Sequence, residues 1–240
     1  SADVPALATA IIRGGYEYQG QKCSAASRIY VPERMWPELS GILKEEMAQV
    51  KMGDVEDYGN FVSAVIDRAS FDNISNYIQY AKQSDEAEIF AGGNVDDSVG
   101  YFIEPTLVVT KNPHFKLMEE EIFGPVVTVC LYEDSGFEEI LKTCDQTSPY
   151  ALTGAIFARD KSAIKMAHEA LRFAAGNFYV NDKPSGAVVG QQPFGGSRAS
   201  GTNDKAGSIL NLLRWVSPRT VKETFDAPRD WRYPFLESDD

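Results

Sequence analysis

The run Val126–Tyr132, Val-Val-Thr-Val-Cys-Leu-Tyr, constrains the fold most. It is β-branched, apolar on both faces and only seven residues long, so it reads as a buried strand. Shorter strand-like runs surround it at Ser27–Val31, Glu88–Ala91, Tyr101–Val109, Leu152–Phe157 and Phe178–Val180. Between them lie stretches of helical spacing. The first is capped by Asp3 with Pro5 in its first turn, and Gly14-Gly15 is expected to weaken its end. Others are Glu33–Val50, Asp67–Gln83 with Phe71, Ile74, Ile78 and Ala81 on one side, Phe137–Cys144 and Lys161–Leu171. This β–α alternation predicts an α/β fold, an open and largely parallel twisted sheet with helices on both faces. Asp182–Ala206 is rich in Gly, Pro, Ser and Asn and reads as a functional loop or a linker. Leu210–Leu213 reads as a short helix, Val216–Phe225 as an edge strand, and Asp226–Asp240 as a tail that wraps or frays.

The 240 residues are 43% hydrophobic, enough for one large α/β domain or a domain plus an arm. A net charge of −12 argues against nucleic acid or an anionic membrane surface as partner. No run approaches the roughly 20 apolar residues of a membrane helix. The start at Ser1-Ala2-Asp3 shows no basic, apolar leader and carries no weight on targeting. Three cysteines, at 23, 130 and 144, form no CxxC and read as reduced, intracellular thiols. Cys130 and Cys144 fall in element candidates and read as structural. GxSxG, Walker A and GxGxxG motifs are absent, and His114 and His168 have no ligand pattern around them. No metal site is expected.

Cys23 differs from the other two thiols. It lies in Glu-Tyr-Gln-Gly-Gln-Lys-Cys-Ser-Ala-Ala-Ser (17–27), a polar stretch between a helix and a strand. A thiolate there is a nucleophile; an inert cysteine would instead be a small buried hydrophobe. These residues alone leave both readings open. Gln-Gly-Gln-Lys-Cys-Ser resembles the catalytic cysteine segment of the aldehyde dehydrogenase superfamily. Glu120-Glu121-Ile122-Phe123-Gly124-Pro125-Val126, Gly176-Asn177-Phe178-Tyr179-Val180-Asn181 and Pro193-Phe194-Gly195-Gly196-Ser197 follow in that family's order. With Gly190–Gly196 and Ala199–Lys205, the wording is most similar to members that oxidise L-glutamate γ-semialdehyde to glutamate in proline catabolism.

The resemblance implies a catalytic domain over 1–215 and an oligomerisation arm with tail over 216–240. It also implies that the dinucleotide-binding half, the general base and a second oxyanion donor would lie before Ser1, so that the chain alone would be inactive as a dehydrogenase. It implies NAD as cofactor, Cys23 as nucleophile, and the Cys23 N–H as an oxyanion donor. Glu121 would accept the nicotinamide-ribose hydroxyls; taken alone it is one of three consecutive solvated glutamates. Phe123 would flank the nicotinamide, or else pack in the core. Ser24, Gly207 and Ser208 would hold the substrate's α-carboxylate, and Trp215 would cover its aliphatic part; otherwise Ser24 bonds local backbone and Trp215 anchors a core or an interface. Gly195 and Gly196 would serve backbone geometry. The implied partners are a small aldehyde bearing a carboxylate and further copies of the chain through the arm; the implied location is the mitochondrial matrix. Two other functions suit the same residues, a stand-alone thiol esterase and a non-catalytic assembly domain.

Overall fold

The Val126–Tyr132 run forms the longest strand of a four-stranded sheet in the computed structural model, which describes residues 1–237. The chain opens with α1 (Val4–Tyr16), β1 (Arg28–Pro32), α2 (Trp36–Met47) and α3 (Arg68–Gln83). Then come β2 (Ala87–Ala91), β3 (Val95–Asp96), β4 (Phe102–Ile103), β5 (Thr106–Thr110), α4 (Lys116–Glu119) and β6 (Val126–Tyr132). The last third holds α5 (Phe137–Gln146), β7 (Tyr150–Ala151), β8 (Thr153–Ile156), α6 (Lys161–Ala170), β9 (Asn177–Val180), β10 (Ser197–Arg198) and α7 (Ile209–Leu212).

The sheet order is β1-β6-β5-β2, with β1, β6 and β5 parallel and β2 antiparallel to β5. Period-two alternation splits its side chains between two helical layers. Leu107, Val109, Val127 and Val129 face α1 and α2, packing with Leu7, Ile11, Leu39 and Leu43. Val108, Val126 and Cys130 face α3, packing with Phe71, Ile74 and Ile78. Each such fully buried Leu or Ile contributes roughly 1.5–3 kcal/mol. The buried hydroxyls of Thr106 and Thr110 are satisfied by the carbonyls of Glu104 and Glu86, both at 2.7 Å.

The open, mainly parallel sheet with helices on both faces is the expected fold, with local differences. The alternation does not run through one sheet: β8 and β9 form a separate parallel pair, packed with α5 and α6 around Leu141, Ala167 and Leu171. β1 is an edge strand with only Val31 buried. Tyr101–Val109 is not one strand, because Pro105, which has no N–H to give a ladder, separates β4 from β5. Val216–Phe225 is exposed and is not the expected edge strand, because it has no ladder partner among the described residues and a single strand is not stable alone. Residues 226–237 are likewise exposed; residues 238–240 of the expected tail lie outside the described residues.

Gly14-Gly15 does not end α1, which continues to Tyr16. A Cβ on Gly15 would stand 2.4 Å from Val127 Cγ2, so the missing side chain lets the helix sit directly on β6. Tyr16, fully buried, then donates from its hydroxyl to the Thr106 carbonyl at 3.1 Å. Burial pushes its phenol pKa upward, so it stays a donor. Gly41, on the exposed side of α2, has nothing within 4 Å of a built Cβ. Two glycines in helices should therefore respond oppositely to alanine. Gly41→Ala should stabilise by about 0.5–1 kcal/mol by reducing unfolded-chain entropy, and Gly15→Ala should destabilise by about 1–3 kcal/mol through overpacking. Urea denaturation of both variants checks this; the same sign for both would rule out the close α1–β6 contact.

Candidate active site

After α1 the chain makes a tight turn at Glu17–Gly20 in which Tyr18, Gln19 and Gly20 all take left-handed backbone, φ 56°, 56° and 64°. For the two non-glycine residues this costs on the order of 1–2 kcal/mol each. Tertiary bonds hold the turn in place. Gln19 Nε2 donates to the Ala64 carbonyl at 2.9 Å, and the Ile66 N–H donates to Gln21 Oε1 at 2.9 Å. Glu17 Oε2 lies 3.0 Å from Lys22 Nζ and 3.5 Å from Lys183 Nζ. Burial would raise the Glu17 pKa, but the two ammonium groups outweigh it and hold the carboxyl below its ordinary value.

Gly20 is buried, and a Cβ on it would stand 2.3 Å from the Gly124 carbonyl oxygen. The cysteine turn and the Glu-Ile-Phe-Gly-Pro segment thus meet backbone to backbone. In that second segment Phe123 is also left-handed, φ 58°, and a Cβ on Gly124 would strike Ile74 Cδ1 at 2.4 Å. The Thr106 N–H donates to the Pro125 carbonyl at 2.8 Å, tying the segment to β5 just before β6 begins. The third wall comes from Ser148–Thr153, where the Ala151 N–H donates to Ser200 Oγ at 3.0 Å.

These walls enclose a cavity of about 250 Å³ whose lining includes Cys23, Lys22, Glu121, Phe123, Tyr150 and Ser200. Cys23 and Glu121 are exposed, and Phe123 is 45% exposed. Among the described residues the Cys23 N–H has no hydrogen-bond acceptor. Burial pushes the Cys130 thiol up to about 11 and raises Cys144 as well, which lowers their thiolate fractions. A larger cleft, about 470 Å³, lies between β1 and β8; Cys144 is its only thiol, and Cys23 is not in its lining. His114 and His168 are both exposed, and no group of three metal-ligating side chains occurs among the described residues.

Of the residues singled out from the sequence, Cys23, Glu121 and Phe123 share this cavity. Ser24, 7% exposed, is buried beside it, and Gly207, Ser208 and Trp215 do not line it. Trp215 is 80% exposed, so it is no core anchor in this chain. Gly196 serves backbone geometry as expected, since a Cβ there would stand 2.6 Å from the Ala151 carbonyl oxygen. Gly195 does so as a carbonyl: its oxygen lies where a Cβ on Gly176 would stand, at 1.9 Å. Sequence reading passed over the Gln19 and Gln21 anchors, the Glu17–Lys22–Lys183 cluster and Ser200. The only signal for the anchors was the pair of glutamines flanking Gly20, and nothing pointed to their partners at 64–66.

Because the folded Glu17 pKa is below the unfolded one, its ion pairs stabilise the fold above the unfolded value and are lost as pH falls through the folded value. Glu17→Gln should therefore lower the melting temperature at pH 7, and the gap to wild type should close below a pH of about 4.5. Melting curves across pH 3–7 check it; a gap that stays constant would show that the lysine contacts contribute nothing.

The aldehyde dehydrogenase family model matches residues 1–221. The mitochondrial delta-1-pyrroline-5-carboxylate dehydrogenase of Dictyostelium discoideum is 59% identical over 236 residues, 98% of this chain and 42% of that protein. The crystal structure of the delta-pyrroline-5-carboxylate dehydrogenase from Mycobacterium tuberculosis superposes with a TM-score of 0.87 at 48% identity, covering 100% of this chain and 44% of that one. The form of that enzyme bound with NAD superposes at 0.86, with 48% identity, over 99% of this chain and 43% of that one. This chain thus spans about two-fifths of the length of the relatives it matches. With the cysteine turn, the Glu-Ile-Phe-Gly-Pro segment and the glycine-rich loop all inside the matched residues, the chain belongs to the aldehyde dehydrogenase family.

Proposed function

We propose that residues 1–215 are the catalytic and substrate-binding part of an NAD-dependent dehydrogenase that oxidises L-glutamate γ-semialdehyde to glutamate in the mitochondrial matrix, with 216–240 as an assembly arm. The observation that carries the reading is that Cys23 and Glu121, both exposed, line one small cavity with Phe123 between two backbone-locked turns. The 59% identity to a mitochondrial delta-1-pyrroline-5-carboxylate dehydrogenase supports the substrate and the compartment.

The Cys23 thiolate gives its electron pair to the aldehyde carbon, a C–S bond forms, and the carbonyl π pair moves onto oxygen. The free Cys23 N–H donates to that oxyanion; one well-placed donor lowers such a barrier by about 3–4 kcal/mol. The residues present fit a nicotinamide nucleotide: the Glu121 carboxylate can accept from ribose hydroxyls, and Phe123 offers a half-exposed ring face beside it. When bound, the nucleotide supplies the acceptor for the hydride leaving the carbon attached to sulfur. The acyl group then sits on Sγ as a thioester, and water releases it as the acid and restores the thiolate. Ser24, Gly207 and Ser208 are the residues we assign to the substrate carboxylate, with Trp215 against its methylenes.

A second reading, assembly through the arm, draws on the C-terminal segment, where Trp215, Val216, Val221, Phe225 and Trp231 are all exposed. An apolar row of this kind is a typical surface for association. It is compatible with catalysis and gives the arm its role as the contact between subunits of a homo-oligomer.

In the full-length protein, Cys23→Ala should lower kcat with glutamate semialdehyde by at least about 10⁴-fold, as nucleophile removal does elsewhere. Glu121→Gln should raise KM for NAD about tenfold with a smaller change in kcat, because it removes a charge-assisted acceptor. Steady-state kinetics with both substrates varied checks the pair; wild-type rates from Cys23→Ala would end the assignment. The isolated 240-residue chain should show no NAD-dependent turnover, and steady NADH production by it would contradict the division of labour proposed here.

A further inference from the structure

Residues 193–208 fold as one locked loop. Asn177, at the start of β9, donates from Nδ2 to the Pro193 carbonyl at 3.1 Å and accepts from the Gly195 N–H on Oδ1 at 3.2 Å. Phe194 and Ala206 exchange both backbone bonds, at 2.9 and 2.7 Å. Into the middle of this loop runs the Lys205 ammonium. It donates to the Gly176 carbonyl at 2.5 Å, to the Gly195 carbonyl at 3.2 Å and toward Asn177 Oδ1 at 3.4 Å. The Lys205 carbonyl in turn accepts from the Ser208 N–H at 3.1 Å and from Ser208 Oγ at 2.7 Å. Lys205 is itself left-handed, φ 56°, so the backbone is bent to deliver both groups.

The three acceptors are neutral. Among the described residues no carboxylate lies within ion-pair distance of Lys205. Its neighbour Asp204 is turned to Arg214, at 2.7 Å, and to the Thr202 hydroxyl. A half-buried ammonium with no counter-charge is unfavourable for folding alone; burial accordingly lowers its pKa. It is favourable where an anion is to be seated nearby. Two residues further on, the Gly207 N–H, φ 84° in the left-handed region that suits glycine, has no acceptor among the described residues.

We infer that Lys205 is the positioning residue of the substrate-carboxylate loop: its ammonium, gripped by Gly176, Gly195 and Asn177 and matched by no carboxylate, anchors the residue whose main-chain carbonyl holds Ser208, and leaves that loop positively biased toward a carboxylate-bearing aldehyde. The inference rests on the reading of the substrate given above and adds a residue that does not touch it. Lysine suits the role because one compact cation satisfies several carbonyls at once and keeps its charge.

The test uses the full-length protein with two substrates, glutamate semialdehyde and propanal, which has no carboxylate. Lys205→Met should raise KM for glutamate semialdehyde about tenfold or more while kcat changes less than about threefold. kcat/KM for propanal should move less than about twofold. Lys205→Arg, which keeps the charge, should recover most of the lost affinity. Lys205→Gln, which keeps donors and removes the charge, is read in the same way should Lys205→Met not fold, and it too should raise KM for the carboxylated substrate alone. Equal loss on both substrates, or no loss on either, would overturn the inference while leaving the enzyme's assignment intact. A wild-type enzyme with no preference for glutamate semialdehyde over propanal would instead overturn the substrate reading, and the inference with it.

Discussion

The contact between Gly20 and the Gly124 carbonyl is the constraint on which the site depends. Neither position can carry a side chain: a Cβ on Gly20 would stand 2.3 Å from that oxygen, and one on Gly124 would stand 2.4 Å from Ile74 Cδ1. Gly20 belongs to the turn that carries Cys23, and Gly124 to the turn that carries Glu121 and Phe123. Gly124 leads straight into β6, the middle of the sheet core. The position of Cys23 is therefore referred to a buried interior strand through two peptide groups, without a flexible side chain between them. Such placement matters because catalytic geometry tolerates only a few tenths of an ångström of slack. The strained residues on either side, Tyr18, Gln19 and Phe123, fit the pattern of backbone strain held where position matters more than stability.

The electrostatics divide in the same way between the whole and the part. The chain carries a net charge of −12, while the substrate proposed above pairs one carboxylate with one ammonium and has no net charge, so the overall field does little to its approach. At physiological salt that field is screened beyond about 8 Å. Within that range the local cations decide. Lys22 lines the Cys23 cavity and shares Glu17 with Lys183, so three side chains there sum to one positive charge. Lys205 adds a second cation behind the glycine-rich loop. An acidic protein can in this way seat a carboxylate, provided a lysine stands close to where the carboxylate binds.

The sheet was legible in the sequence because period-two and 3.6-residue patterns are local. Val126–Tyr132 and the Phe71–Ile78 stripe gave both sides of one interface, and the structure packs them together. The cysteine, glutamate and phenylalanine of the site were legible as motifs with fixed spacing, and they share a cavity. What was not legible was close approach. Gly14-Gly15 reads locally as weakness in a helix, whereas Gly15 owes its identity to Val127, 112 positions along the chain. The bonds of Gln19 and Gln21 to 64–66 and of Lys205 to Gly176 and Gly195 are of the same kind: each joins a residue to backbone, and backbone leaves no signature in composition. The separation of β8 and β9 from the main sheet also escaped, since alternation predicts strands and does not say which edges meet.

The exposure of the site bears on how such chemistry would be completed. Thiolate addition and loss of hydride both gain from excluding water, which competes for the oxyanion and weakens every donor. Cys23, Glu121 and Phe123 are reachable from solvent on the same side, while Ser24, Ile122 and Val126 are buried behind them. The fold thus supplies a rigid floor and leaves the roof to whatever seats on that face. The matched relatives carry more than half of their length outside the part this chain spans, and the Mycobacterium tuberculosis relative has been seen bound with NAD. The left-handed turns at Tyr18, Gln19 and Phe123 hold this floor in shape while it stands open to solvent, so the spacing of Cys23 and Glu121 is set by backbone rather than by a cover.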